Sequence, residues 1–194
     1  SMLFVRGAAA IAVGGALIVS LSACKKDRDE EETAQAAPPT QPAAAQPAVD
    51  VMQGASYKTI PATHVQVPIP QGWQESRKGL YAFAVSPDRK ALLAFTTVSS
   101  LGEFAGRSQH AQKVFNITGC TKQPAKKIPI GPNRLPGRVI DHQCAFNGVP
   151  AFVSTVLVKT GDRALPFIIY AVDKRASKTT IMQAQQTVLR MRRM

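Results

Sequence analysis

The chain has few acidic residues, few cysteines and none of the common catalytic motifs. Its 194 residues include 12 Asp and Glu against 24 Lys and Arg, with three Cys and one Trp. We find no Gly-x-Ser-x-Gly elbow, no His-Glu-x-x-His zinc helix and no phosphate-binding loop. These absences argue against the hydrolase, zinc-peptidase and nucleotide-binding classes that such motifs mark.

An apolar segment at the start of the chain predicts a secretory leader over residues 1–23. Ser1 ahead of Met2 is typical of a cloning remnant, Arg6 supplies the positive charge of such leaders, and the apolar run 8–21 is followed by small residues. A membrane-spanning helix would continue with large apolar residues at that point. The segment therefore favours a leader over a membrane span.

Leu21, Ser22, Ala23 and Cys24 close this segment and resemble the lipobox of bacterial lipoproteins. The resemblance implies cleavage before Cys24, attachment of a lipid to its sulfur and acylation of the new amine. Two or three acyl chains hold a protein stably at a membrane, whereas one holds it marginally. We therefore expect membrane anchoring through Cys24. The alternatives are an ordinary cleaved leader with a coincidental cysteine and an uncleaved signal anchor.

The residues after the cysteine predict a spacer that ends at residue 56. Residues 25–32 carry charges of both signs. They are followed by a stretch rich in Ala, Pro, Gln and Thr that has too few apolar residues to form a core. As a flexible coil, some 35 residues span about 30–35 Å. Lys25 after the lipidated cysteine is not an inner-membrane retention signal of the enteric kind, which favours the outer membrane, facing the periplasm.

Residues 57–194 have the length of one globular domain. The pattern predicts strands at 65–69, 80–85 and 91–98, with Trp73 plugging the core after the first of them. From Leu101 the apolar residues recur with the spacing of a helix, which we expect to end at Gly119. Its apolar stripe consists of Leu101, Phe104, Ala111, Phe115 and Thr118.

The second half of the domain predicts four strands and a closing helix. An edge strand at 128–130 precedes a hairpin, 138–146 and 149–159, whose Asn147-Gly148 turn favours positive φ at both residues. The next strand, 165–172, is apolar almost throughout and is expected to be central. Ser177 is the expected N-cap of the last helix, with Ile181, Ala184, Val188 and Met191 on its apolar face and Arg190, Arg192 and Arg193 near its C-terminus.

This order of elements predicts an α+β domain with two helices against a largely antiparallel sheet. The strand order, the Val67-Pro68-Ile69-Pro70-Gln71-Gly72-Trp73 opening and the closing strands resemble the PsbP-like family over roughly residues 62–193. That resemblance implies an α/β/α sandwich and a non-catalytic docking or assembly role. It assigns no binding residue.

Cys120 and Cys144 remain as a pair once Cys24 carries lipid, and an even pair in an exported domain predicts a disulfide. We expect it to join the end of the first helix to the strand before the Asn147-Gly148 turn. The alternative is a metal or thiol site that includes His142, which lies two residues from Cys144 and hence on the same strand face.

Asp141, His142 and Cys144 also raise the possibility of a catalytic set. Adjacent strand residues point to opposite faces, so Asp141 is poorly placed to orient His142 as a triad requires. We therefore predict that the protein is not an enzyme and carries no cofactor and no metal. His64 and His110 are expected at the surface.

Positive charge is the remaining feature of the domain. From Val51 onward the sequence contains 20 Lys and Arg but only 6 Asp and Glu, which gives a net charge of +14. Such a charge attracts lipid headgroups, anionic envelope polymers or an acidic protein face, although a merely solvated basic surface is an equally good interpretation. Nucleic acid fits the charge but not the compartment. The candidate anion-binding residues are Lys122, Lys126, Lys127 and Arg134 after the first helix, and Lys174, Arg175 and Lys178 beside the last.

Taken together, these features favour a membrane-anchored envelope lipoprotein with a non-enzymatic docking or assembly function and a protein partner in the envelope. The alternative is binding of a polyanion, such as lipopolysaccharide, anionic lipid or envelope polysaccharide, through the basic surface.

Overall fold

The computed structural model describes residues 50–194. The leader, Cys24 and most of the linker lie outside the described residues. Asp50 to Ala55, which were assigned to the linker, pack on the domain: Met52 is buried and the Arg190 guanidinium lies 2.8 Å from the Asp50 carboxylate. Packing against the domain therefore starts before the predicted boundary at residue 57.

Eleven strands and two α-helices form the described part of the chain. The strands are β1 Ser56–Thr59, β2 Val65–Ile69, β3 Gln74–Lys78, β4 Tyr81–Val85, β5 Ala91–Val98, β6 Ile117–Lys122, β7 Lys126–Ile130, β8 Leu135–Phe146, β9 Val149–Val158, β10 Leu165–Asp173 and β11 Arg192–Arg193. The helices are α1 Phe104–Val114, which follows a 3-10 turn at Leu101–Glu103, and α2 Lys178–Leu189.

The main sheet has eight strands in the order β3-β4-β5-β10-β9-β8-β6, with β7 also paired to β8. Every strand pair in it is antiparallel. Strand β10 lies in the middle of the order, as its apolar sequence predicts. Along one edge, β6 and β7 follow one another beside β8. A small sheet of order β1-β2-β11 accompanies the main one.

Two apolar layers cover the two faces of the main sheet. On one face, Trp73, Leu93, Val156 and Ile168 pack with α2 residues such as Ala184. On the other, side chains of α1, of β6 and of the opposite face of the sheet form the second layer. The prediction of an α+β domain, two helices on a largely antiparallel sheet in an α/β/α arrangement, is confirmed. No helix among residues 50–194 is long and apolar enough to cross a membrane.

The first helix ends earlier than predicted. Asn116, with a φ of 53°, turns the chain after Val114, and the following residues form β6. Thr118 is consequently an exposed strand residue, and Gly119 lies at an irregularity in the β6–β8 pairing. Leu101, which was assigned to the apolar stripe, is 52% exposed in the preceding 3-10 turn. The helix ends early because Asn116 tolerates the left-handed conformation better than most other non-glycine residues.

The C-terminal arginines do not belong to the last helix. The Ser177 hydroxyl accepts a hydrogen bond from the Thr180 amide at 3.0 Å, so the predicted N-cap is confirmed. The helix, however, ends at Leu189, and Arg192 and Arg193 pair with β2 as strand β11. Their position therefore comes from strand pairing and side-chain contacts, such as the Arg192 guanidinium 3.7 Å from the Tyr57 ring centre, and not from the helix dipole.

Candidate functional site

One cleft within the described residues lies beside the 3-10 turn that precedes α1, on the face of the sheet that this helix covers. Helix α1 packs against β6 and β10. The cleft is lined by residues of β7, β8, β9 and β10 and of the segments that join them, and by Leu101 of the 3-10 turn; it has a volume of about 640 Å³. Its lining includes four cationic residues, Lys127, Arg134, Arg138 and Lys159, and the apolar residues Leu101, Ile128, Pro129, Pro136, Leu157 and Leu165. We call it the basic cleft.

Strand register brings these side chains together. Lys127 lies directly opposite Arg138, and Pro129 lies opposite Pro136. Residues opposite one another in an antiparallel pair share a face, and so do residues two apart on one strand. Arg138 is in turn opposite Leu157 on β9. One face of three neighbouring strands therefore forms the floor of the basic cleft.

The remaining two cations are positioned by the turn and by a strand end. Arg134 closes the turn between β7 and β8, where its amide donates to the Gly131 carbonyl at 3.0 Å. Lys159 follows β9, and its amide donates to the Pro136 carbonyl at 2.8 Å. Backbone hydrogen bonds thus hold both residues beside the floor.

The cations of the basic cleft have no carboxylate partner within residues 50–194. All four are exposed, none takes part in an ion pair there, and no Asp or Glu lines the cleft. Like charges directly opposite one another on a sheet, as Lys127 and Arg138 are, destabilise the pair. An anion bound between them would remove this repulsion.

The structure divides the first predicted cluster between separate surfaces. Lys127 and Arg134 lie in the basic cleft, but Lys126 donates to the Asp141 carboxylate at 3.0 Å and Lys122 lines a small pocket beside His142. Adjacent residues of β7 face opposite sides, which separates Lys126 from Lys127. Arg138 and Lys159, which were not predicted, complete the cleft. Arg138 could have been found from the alternation along β8.

The second predicted cluster does not line the basic cleft. Arg175 binds the Asp173 carboxylate at 3.1 Å, and this guanidinium lowers the pKa of Asp173. The Lys174 ammonium lies 5.0 Å from the centre of the exposed Phe152 ring. Lys178 is the exposed first residue of α2. The charge of Arg175 is thus compensated locally, and nothing in the described residues gathers these three side chains into one site.

Cys120 and Cys144 form a disulfide, as the cysteine count predicts. Because the chain is already in β6 at residue 120, the bond joins β6 to β8 and not the end of α1 to β8. With both sulfurs in the bond, the alternative of a metal or thiol site loses its sulfur ligand. No group of three His, Cys, Asp or Glu side chains within residues 50–194 is arranged to hold a metal ion.

Asp141 and His142 lie on opposite sides of β8 and have different partners. The Asp141 carboxylate accepts hydrogen bonds from the Ser154 hydroxyl at 2.7 Å and from Lys126. Burial by itself would raise the pKa of Asp141, but these two donors lower it. The His142 ring is buried, with Nε2 3.4 Å from the Thr155 hydroxyl and no partner for Nδ1 within the described residues. The pair is therefore not arranged as a triad.

His142 is expected to make stability fall as the pH is lowered below about 6.5. Burial, followed by the Lys122 ammonium, lowers the pKa of His142 below its ordinary 6.5, so the unfolded chain takes up this proton before the folded one does. The contribution of neutral His142 to the free energy of unfolding is complete above pH 6.5. It is lost as the pH falls towards the lowered pKa, by up to about 1.4 kcal/mol per pH unit. Urea unfolding at several pH values between about 7.5 and 5 measures it. A His142→Gln variant with the same pH dependence as the parent would contradict this assignment.

The fold and the cleft define an α+β domain that presents a cationic cleft on one face of its central sheet. No protein-family model matches the sequence, and no curated protein matches it. Among solved structures, the chain is similar to cyanobacterial PsbP from Synechocystis sp. PCC 6803, with 8% identity, a TM-score of 0.49 and coverage of 72% of this chain and 92% of that one.

Two further solved structures are similar. One is LpqN of Mycobacterium tuberculosis, described as involved in cell envelope biogenesis, with 13% identity, a TM-score of 0.44 and coverage of 73% of this chain and 94% of that one. The other is PA94 of Pseudomonas aeruginosa, a putative regulator of unknown function, with 14% identity, a TM-score of 0.37 and coverage of 70% and 96%. These similarities concern the fold alone.

Proposed function

We propose that the protein is a lipid-anchored, non-enzymatic envelope lipoprotein whose domain binds an anionic envelope component in the basic cleft. The observation that carries this proposal is the set of four exposed cations without a carboxylate among the described residues. A protein gains nothing in stability from two like charges held face to face. A binding role for an anion gives the arrangement a reason.

The sequence supports the location. The leader, the lipobox-like Leu21-Ser22-Ala23-Cys24 and the linker are typical of a domain tethered to a membrane. Lys25, which is not an inner-membrane retention signal, favours the outer membrane, facing the periplasm. A disulfide fits an exported domain, because such bonds persist in oxidising compartments. The separate partners of Asp141 and His142 support a non-enzymatic role.

Binding is expected to depend on the cations of the cleft and not on net charge. The full chain, held in phosphatidylcholine nanodiscs, is titrated with fluorescent dextran sulfate, a soluble polyanion. Lys127→Gln with Arg138→Gln should weaken binding at least about tenfold, because two charge-assisted contacts are lost. The affinity of the parent should also fall steeply with added salt.

A matched control carries Arg77→Gln and Lys113→Gln. It removes one Arg and one Lys that are exposed, lie outside the basic cleft and form no ion pair within residues 50–194. We expect this control to change affinity less than about threefold, since it alters only long-range attraction. Equal weakening by the two double variants would show that the cleft has no special role.

The first expectation from the sequence is docking onto an envelope protein. A second experiment tests it. Full chain in nanodiscs is used to capture envelope proteins at low salt and at roughly 0.5 M salt, where charge attraction between exposed groups is screened. A stoichiometric partner that survives high salt and is unaffected by the cleft variant would favour docking over anion binding.

A further inference from the structure

The basic cleft combines its charges with an apolar floor. Leu101 is 52% exposed at the cleft, and Pro129 and Pro136 are exposed as well, whereas Leu157, opposite Arg138 on β9, is buried. A site for a purely hydrophilic polyanion has no use for exposed leucine and proline. Most small-ligand sites are instead apolar clefts of roughly 300–1,000 Å³ with a few polar groups, a range that includes the 640 Å³ found here.

The two opposed cations and the leucines of the cleft lie on different strands. The sheet order from the edge inwards is β7, β8, β9 and β10. The edge strands contribute the opposed pair of Lys127 and Arg138, and Arg134 lies in the turn that joins them. The inner strands contribute Leu157 and Leu165, and Leu101 lies in the 3-10 turn before α1; the cation Lys159, just after β9, is the exception.

The cationic pair adjoins the apolar region directly, because Leu157 on β9 lies opposite Arg138. A second opposed pair, Pro129 and Pro136, lies two positions further along β7 and β8. Neighbouring strands lie about 4.7–4.9 Å apart, so the cationic end and the apolar end are within the length of one small molecule. A ligand that fills both ends must carry negative charge at one end and hydrocarbon at the other.

We propose that the ligand of the basic cleft is an anionic amphiphile, namely the phosphate ester of an acyl-chain lipid. Its phosphate lies between Lys127 and Arg138, and its chain extends towards Leu157, Leu165 and Leu101. This inference rests on the proposed function and names the class of ligand. A free phosphate would leave the apolar end in contact with water, and a neutral lipid would leave the cations without a partner.

The test compares ethyl phosphate, octyl phosphate and octyl phosphocholine as probes of the full chain in phosphatidylcholine nanodiscs. Dissociation constants are measured from the leucine methyl signals of Leu157 and Leu165 by NMR. The exposed leucines Leu80 and Leu189, outside the cleft, report on non-specific partition in the same spectra.

Octyl phosphate should bind at least about tenfold more tightly than ethyl phosphate, because burial of two methylene groups already strengthens binding about that much. Octyl phosphocholine, whose headgroup is neutral overall, should bind more weakly than octyl phosphate. Leu101→Ser should reduce the advantage of the octyl chain, whereas Leu80→Ser, at a leucine of similar exposure (49% against 52%), should not.

The two proposals fail in different ways. If octyl and ethyl phosphate bind equally while dextran sulfate still depends on Lys127 and Arg138, the cleft binds anions and the lipid inference is wrong. If no probe shifts Leu157 or Leu165 and dextran sulfate is indifferent to the cleft variant, the proposed function itself is wrong. Equal shifts of Leu80, Leu189 and the cleft leucines would also contradict the inference.

Discussion

Replacing Cys120 and Cys144 together by serine is expected to lower the free energy of unfolding by about 3.5 kcal/mol. The bond closes a loop with a sequence separation of 24 residues, and its loss restores that much conformational freedom to the unfolded chain. The melting temperature should fall by on the order of 10 °C for a domain of this size. The fluorescence of Trp73, the one tryptophan of the chain and a buried core residue, measures unfolding directly.

The controls separate the bond from the packing of its sulfurs. The parent in strong reductant should match the double serine variant to within about 1 kcal/mol, and either single serine variant should lose as much as the pair. Mass spectrometry of the unreduced protein should find neither thiol available to an alkylating reagent. Two alkylated thiols, or a reductant that leaves unfolding unchanged, would contradict the prediction.

The disulfide and the basic cleft share strand β8. This strand pairs with β6 at residues 142–146 and with β7 at residues 135–139, so one strand carries both the disulfide and Arg138. The cleft variant Lys127→Gln with Arg138→Gln, by contrast, changes exposed side chains only. Loss of binding without loss of stability in that variant is therefore the result that identifies a binding site.

Local chemistry made much of the fold predictable. Asn147 and Gly148 both adopt positive φ, 51° and 79°, which is why the hairpin between β8 and β9 follows from two residues. Ser177 caps α2 by the hydrogen bond that its side chain favours. The apolar run of β10 follows from burial on both faces of the sheet.

Contacts between distant residues were not predictable in the same way. Strand β11 has two residues and pairs with β2, so Arg192 meets Gln66 across 126 positions of the chain. The basic cleft depends on β7 pairing with β8 in one register, which places Lys127 and not Lys126 beside Arg138. Lys126 and Arg175 were equally good candidates by sequence, but each has a carboxylate partner that only the fold reveals.

Gly131→Ala is expected to be the most damaging single substitution at the turn between β7 and β8. Gly131 has a φ of 66°, and a Cβ atom there would lie 1.7 Å from the Met191 carbonyl oxygen and 2.8 Å from the Met191 carbonyl carbon. Neither the turn nor the backbone of the C-terminal segment can move away cheaply, since both are hydrogen-bonded parts of the domain. We expect a loss of about 3 kcal/mol or more in the free energy of unfolding, measured by Trp73 fluorescence.

Gly161→Ala is the matched control, because it separates backbone conformation from collision. Gly161 has a φ of 81°, but no atom lies within 4 Å of the position that a Cβ atom would take. Gly161→Ala should therefore lower the free energy of unfolding by only about 1 kcal/mol, because alanine disfavours the left-handed conformation. Since the turn at Gly131 also carries Arg134, the damaging variant should weaken dextran sulfate binding as well, and the control should not. Equal losses of stability in the two variants would mean that Met191 does not lie against this turn, and the position of Arg134 in the basic cleft would then have to be revised.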